Sequence, residues 1–347
     1  MAGIDVVVVG ASAGGLEALK ALASGLPASF QAAVFIVVHT SPSSPDMLPD
    51  LLNRAGPLPV ASAVQGAKFE RGNIYVAPPD RHILIEAPDR IRINRGPKEN
   101  GFRPAIDPLF RSAALAFGPH VAGLILSGNL DDGTVGLAAI KRRGGVTIVQ
   151  DPAEASAPSM PLSALREVRV DHCVGVAAMP PLLASLADDG KPSRTSPMEM
   201  VPMADKLKLE VDIAAHEGTA SDVLKLGVPS LFTCPECHGA LLQIGEETPM
   251  RFRCHTGHAF TANTLVAALG ESTEEALWST LRALQEKVML LRHMAAHARP
   301  ARNASEAAML LQEGRQILQR ARLVRQALLL DDAAPSRNAR PHPAPGS

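Results

Sequence analysis

The sequence is short of several things, and each shortage closes a route. Only 3% of the 347 residues are aromatic, with a single Trp and a single Tyr. That is too few for the stacking platforms that hold single-stranded nucleic acid. Lys and Arg number 34 against 35 Asp and Glu, a formal net charge of -1. No global field therefore draws the chain to nucleic acid or to an anionic membrane. The apolar run near the start, Val6 to Val9, is too short for a signal sequence or a membrane span. A soluble, cytoplasmic protein without direct membrane insertion is expected. Four cysteines in that setting do not make a disulfide framework. Internal repeats are absent, and so are the G-x-G-x-x-G and G-x-x-x-x-G-K-[ST] phosphate-binding patterns.

What is present is an alternation of strands and helices. Residues 4–9 read as a buried strand, apolar on both faces, and Leu16, Leu19 and Leu22 give the following segment helical spacing. "AAVFIVVH", "VAGLILSG" and "VTIVQ" are three more buried strands, and "DMLPDLLNRAG", "DPLFRSAALAFG" and "GTVGLAAIKRRGG" are helices. The stretch "NIYVAPPDRHILIEAPDRIRINR" predicts short antiparallel strands around a turn at Pro88-Asp89. The pattern predicts an α/β fold, a doubly wound, mostly parallel open sheet with helices on both faces. It spans residues 1–187. A Pro- and Ser-rich linker is expected over 188–226, a small Cys/His unit over 227–263, a helical hairpin over 264–332 and a disordered tail over 333–347. In the hairpin, Leu277, Leu281, Leu284, Val288 and Leu291 form a coiled-coil-like stripe, and Ser272 and Glu275 have capping-box spacing. Self-association or partner docking through these helices is a further expectation.

"VVVVGASAGG" runs a buried strand into a turn with Ser12 at its apex. Gly10 to Gly14 fits G-x-S-x-G, a pattern that lifts a nucleophilic serine above a strand end. A phosphate-cradling turn or a plain tight turn would use the same small residues. His39 closes "FIVVH", and Asp131 and Asp132 follow "LILSG". Ligands of open α/β sheets bind outside the carboxyl ends of strands, so Ser, His and Asp there have the makings of a triad. Spacing alone leaves Asp131 and Asp132 equally eligible.

The segments "VVVVGASAGGLEAL", "FIVVHT", "IYVAPPDRHI", "GFRPAIDPLFRSAA", "LILSGNLDDGTVGL" and "IVQDPAEASAPSMP", in this order, resemble the catalytic domain of bacterial chemotaxis protein-glutamate methylesterases, the CheB family. The resemblance covers residues 4–187. It implies Ser12 as nucleophile, His39 as base and Asp132 as the third member, with Asp131 a neighbour. It implies hydrolysis of glutamate γ-methyl esters on a methylated chemoreceptor or similar sensory protein, sometimes with glutamine deamidation, and no catalytic cofactor. The backbone N–H groups of Ala13 and Asn129 are the expected oxyanion donors. Arg103 and His82 match family residues near the cleft, which suggests substrate contact or scaffolding. Three positions depart from the family pattern. Ala13 stands where Thr or Ser is usual, Asn129 where Met is, and Leu130 where Gly is. Better-known members also carry an N-terminal phospho-receiver, whereas here the first catalytic strand comes almost at once, so gating by a receiver within the sequence is not expected. A serine esterase with another ester or amide substrate is the alternative enzyme, and a catalytically silent docking module the alternative outside enzymology.

Cys234, Cys237, Cys254 and His258 have the C-x-x-C and C-x-x-x-H spacing of two knuckles joined by a hairpin. Three thiolates and an imidazole suit tetrahedral zinc, and four protein ligands make such a site structural. A zinc-ribbon-like unit with structural zinc is expected. Free thiols in a reducing compartment are the alternative, and His238 is a substitute ligand by spacing. Few Lys or Arg lie between Cys234 and His258, so no nucleic-acid partner is expected there.

Overall fold

The computed structural model of the chain describes residues 3–188, 204–245, 249–297 and 304–332. Chain order in the first half is β1 (Val6–Ala11), α1 (Gly15–Gly25), β2 (Ala33–Val38), α2 (Leu48–Asn53), β3 (Val60–Ser62), β4 (Ile74–Val76), β5 (His82–Glu86), β6 (Arg90–Asn94), α3 (Ile106–Phe117), β7 (Val121–Ile125), α4 (Thr134–Arg142), β8 (Val146–Gln150), α5 (Ser159–Glu167), β9 (His172–Val174) and α6 (Met179–Asp188). Seven strands form one sheet in the order β3-β4-β2-β1-β7-β8-β9. All its pairings are parallel. β5 and β6 form a separate antiparallel hairpin.

The valine run explains itself in this sheet. Successive strand side chains point to opposite faces. Val7 and Val9 join Leu19, Leu22, Leu52 and Leu183 in a core beneath α1, α2 and α6. Val6 and Val8 join Phe110, Leu137, Ile140 and Met160 in a second core beneath α3, α4 and α5. A strand covered on both faces must be apolar at every position, and β1 is buried throughout.

Past α6 come α7 (Ala204–Ala214), α8 (Ala220–Leu224), β10 (Gly227–Thr233), β11 (Ala240–Ile244), β12 (Arg251–Cys254), β13 (Ala259–Thr261), α9 (Ala262–His297) and α10 (Ala304–Asp332). The predicted linker needs correction: α7 and α8 occupy most of 204–226. Leu207 packs against the second core and Val211 and Ala214 against Leu84, so one apolar side of α7 is spent on the first half of the chain. The Pro- and Ser-rich 189–203 and the tail 333–347 lie outside the described residues. β10-β11-β12-β13 make a four-stranded antiparallel sheet, two strands more than the sequence suggests.

The chain divides into two compact units after Leu265. The ribbon-like sheet thus falls in the same compact unit as the parallel sheet. In the second unit α9 and α10 pair. Leu277, Leu281 and Leu284 meet Ala321, Val324 and Leu328, and Val288 and Leu291 meet Ile317. The leucine stripe is spent inside this hairpin. Ser272 caps nothing, because α9 starts ten residues earlier at Ala262. The reciprocal cap belongs to Thr261 and Thr264, whose hydroxyls accept from each other's backbone N–H at 3.1 and 2.9 Å.

Candidate active site

Three adjacent strands, β2-β1-β7, deliver the three predicted residues. Ser12 follows β1, His39 follows β2 and Asp132 lies beyond β7. From β1 the chain winds one way through β2 and the other through β7. This is a topological switch point, where loops splay apart and leave a crevice. Ser12 is fixed by its own N–H, which donates to the Ser127 carbonyl at 2.9 Å. The turn then needs glycine at two places. Gly14 has φ +70°, and a Cβ there would lie 2.5 Å from Ser156 Cβ. A Cβ on Gly128 would lie 2.1 Å from Met160 Sδ and 2.9 Å from Ser12 Cβ.

His39 Nδ1 faces Ser12 Oγ at 3.1 Å, and its Nε2 faces Asp132 Oδ2 at 2.7 Å. An ionised carboxylate only accepts, so Nε2 carries the proton and Nδ1 offers its lone pair to the serine hydroxyl. The imidazole is thus turned end for end relative to the chymotrypsin arrangement, in which Nε2 meets the serine. The Phe102 ring stacks on the imidazole, centroids 3.7 Å apart and planes 5° off parallel.

Asp132 is 1% exposed. Its Oδ2 also accepts from the Ile106 N–H at 2.7 Å, and its Oδ1 from Asn100 Nδ2 at 2.9 Å and the Gly133 N–H at 3.0 Å. Burial alone would raise its pKa. The His39 hydrogen bond and charge, then the Ile106 and Asn100 donors, outweigh burial and hold the group below the usual carboxylate range. Asp107, beside it, goes the other way: burial and the Asp132 charge lift it well above that range. Asp131 is not part of this line. Its carboxylate accepts from Thr261 Oγ1 at 2.8 Å and Asn263 Nδ2 at 3.0 Å, and burial raises its pKa. Geometry separates two aspartates that spacing could not.

The N–H groups of Ala13 and Asn129 have no backbone acceptor among the described residues, as oxyanion donors require. Arg103 and His82 both bond neighbouring segments of the chain. Arg103 Nε and Nη2 hold Asp80 and its Nη1 holds the Gly96 carbonyl. His82 is corrected as a substrate contact: it is 0% exposed, with Nε2 on the Pro97 carbonyl at 2.9 Å and Nδ1 accepting from the Ala105 N–H. Burial lowers its pKa. Sequence reasoning missed Asn100 and Phe102. Both lie in the E-N-G-F-R-P stretch, where Arg103 drew attention and the Asn-Gly turn signal passed unused.

Away from the cleft, Cys234, Cys237, Cys254 and His258 bring one ligand atom each to within 4.8 Å of one another. The Cys237 and Cys254 sulfurs are 3.6 Å apart, and His258 Nδ1 is 3.5 Å from Cys254 Sγ and 3.8 Å from Cys234 Sγ. A tetrahedron built on Zn–S bonds of about 2.3 Å has edges of about 3.8 Å, so the four donors fit zinc.

The sequence pattern of the CheB methylesterase family matches residues 7–183. A putative protein-glutamate methylesterase/protein-glutamine glutaminase of Leptospira interrogans is 34% identical over 182 residues, covering 52% of this chain and 94% of that protein. Protein-glutamate methylesterase/protein-glutamine glutaminase 3 of Anaeromyxobacter dehalogenans is 40% identical over 157 residues. There the match covers 45% of this chain and 46% of the relative, so the chain spans about half of that protein. Among solved structures, the catalytic domain of Thermotoga maritima CheB methylesterase superposes with a TM-score of 0.51 at 30% identity. It covers 53% of this chain and 98% of its own.

Proposed function

The chain belongs to the CheB methylesterase family, and from that premise we propose that it hydrolyses glutamate γ-methyl esters on a chemoreceptor-type protein, through an acyl-enzyme on Ser12. The observation that carries this reading is the hydrogen-bonded line Ser12–His39–Asp132 at the switch point. In this reading His39 Nδ1 takes the hydroxyl proton as Ser12 Oγ bonds to the γ-carbonyl carbon. The N–H groups of Ala13 and Asn129 receive the oxyanion. Collapse expels methanol, which leaves with the proton from Nδ1. Water then attacks the ester of Ser12 with His39 again as base, freeing the glutamate and restoring the serine. Asp132 stays ionised throughout and stabilises the imidazolium. A glutamine side chain would follow the same path with ammonia as the leaving group. No step calls for a cofactor.

The Cys/His cluster is read as structural zinc, held by Cys234, Cys237, Cys254 and His258 and closed to substrate by its four protein ligands. Metal analysis of protein purified without chelator tests this: well under one zinc per chain would remove it. No helix among the described residues is long and apolar enough to cross a membrane, and action in the cytoplasm, on the cytoplasmic part of a receptor, is part of the proposal. The reaction is tested by methanol release from a methyl-esterified chemoreceptor fragment. Release by the native chain that vanishes in Ser12→Ala is expected. Turnover of small aryl esters with none of the receptor would transfer the reading to another ester, and no turnover of either would defeat it.

A further inference from the structure

Asn100 sits at a meeting point. Its Nδ2 donates to Asp132 Oδ1 at 2.9 Å and to Asp107 Oδ2 at 3.1 Å. Its Oδ1 accepts from the Thr261 N–H at 3.1 Å and from Thr264 Oγ1 at 3.0 Å. Its backbone N–H donates to the Ala259 carbonyl at 2.7 Å. One face of this amide thus holds the triad carboxylate, and the other is held by β13 and the first turn of α9. Asn100, Asp107, Asp132, Thr261 and Thr264 are all buried. An amide can rotate about its last bond, so its donor end is only as well aimed as its acceptor end is anchored.

The anchor leads straight to the knuckles. His258 is three residues before Thr261, and Cys254 closes β12, which pairs with β13. The Cys254 N–H donates to the His258 carbonyl at 3.0 Å, and Arg253 Nη1 holds the Gly257 carbonyl at 2.8 Å inside the same turn. The other knuckle also touches the catalytic half, where Lys98 reaches Glu236 at 3.0 Å. Without an ion, nothing covalent closes these knuckles, because all three cysteines are free thiols. Structural zinc sites of this kind contribute folding energy directly.

We infer that the Cys/His unit is a metal-dependent clamp on the catalytic carboxylate, with Asn100, Thr261 and Thr264 as positioning residues for Asp132. The inference rests on the esterase reading above and deepens it: loading of a site remote from substrate sets the turnover number. Displacing a reacting group by about 1 Å costs on the order of 100-fold in rate, and losing one neutral hydrogen bond in the relay costs about tenfold.

The test uses the full chain and a fluorophosphonate, which phosphonylates an activated serine with loss of fluoride whatever the natural substrate. Labelling of Ser12 is followed by mass spectrometry for zinc-loaded, chelator-stripped and zinc-restored protein. Bound zinc is counted, and hydrogen exchange in residues 98–102 is read in parallel. Expected are a fall on the order of 100-fold on stripping, recovery on reloading, and exchange that rises together with the loss. Thr264→Val and Thr264→Ser supply a second arm in which the ligands are untouched. Both should hold one zinc. Val should lower kcat on an ester substrate about tenfold with KM unchanged, and Ser, which keeps the hydroxyl, should restore it. Equal labelling of loaded and stripped protein, or equal kcat for Val and Ser, overturns the clamp and leaves the esterase standing. No labelling of loaded protein overturns the esterase reading and the clamp with it.

Discussion

Replacing Glu99 with Gln should release the seam between the ribbon and the catalytic half. The Glu99 carboxylate is 2% exposed and lies between two buried guanidinium groups, Arg111 of α3 and Arg253 of β12, the latter at 3.0 Å. Burial would raise its pKa, but the charges of Arg111 and Arg253 pull it down from 4.5 to about 2. At about 1.4 kcal/mol per unit, the depressed pKa corresponds to on the order of 3 kcal/mol of stability. Removing one partner of a buried pair costs about 3–5 kcal/mol, in line with that figure. Arg111 would keep Glu210, and Arg253 would lose its carboxylate hydrogen bond and keep the Gly257 carbonyl. A carboxylate with a depressed folded pKa stabilises fully above its unfolded pKa and loses that contribution as pH falls through the folded value. The contribution is therefore complete at neutral pH and lost from pH 4.5 down to about 2, more than half of it by about pH 3. Fluorescence of the single Trp is the wrong probe, because Trp278 lies in the helix pair. Hydrogen exchange of residues 98–102 and 251–261 is the right one. Protection factors there should fall about 100-fold in Glu99→Gln at pH 7, and the gap to the native chain should narrow toward pH 3. Equal protection at pH 7, or a gap that widens on acidification, would refute the reasoning.

Asp132→Asn should lower kcat on the order of 10⁴-fold, since the amide cannot hold the His39 tautomer. Asp131→Asn should cost no more than about tenfold, because its partners are Thr261 and Asn263; equal losses would mean the wrong aspartate has been chosen. Gly128→Ala puts a methyl against Met160 and Ser12 and should cost about 1–3 kcal/mol by urea denaturation. Adding Met160→Ala should return the stability but not the activity, since the contact with Ser12 remains. Leu130 has φ +60°, a conformation that costs a non-glycine residue about 1–2 kcal/mol, offset by about 0.5–1 kcal/mol of glycine chain entropy. Leu130→Gly should therefore be neutral or stabilising by up to about 1 kcal/mol in a thermal melt, and a clear loss would show that the leucine side chain packs.

The catalytic half was legible because its signals are local. A strand buried on both faces must read as "VVVV" wherever it stands, and a G-x-S-x-G turn needs its small residues within five positions. Ser12 and His39 directly follow the last residues of β1 and β2, and Asp132 lies in the loop beyond β7, so knowing the strands was nearly enough to find them. Asp131 and Asp132 could not be told apart, because the difference lies in which donors converge on each: the Asn100 amide and the Ile106 N–H on Asp132, the Thr261 hydroxyl on Asp131. Linker composition misled at α7, where Leu207, Val211 and Ala214 follow a run of Pro and Ser and find their partners on distant α3 and β5. The capping pair of α9 was misread for a similar reason. Ser272 and Glu275 have the right spacing, yet the helix had already begun at Ala262, capped by Thr261 and Thr264.

The position of Thr261 along the chain also bears on biogenesis. Synthesis runs from the N-terminus, and domains generally fold as they emerge. Ser12, His39 and Asp132 leave the ribosome long before residues 259–264, which hold Asn100 from behind. A nascent chain with a complete parallel sheet would still lack the far half of its carboxylate support. The nucleophile would reach full reactivity only after the last ribbon strand is made, so a truncated or half-made chain would carry a weakened esterase.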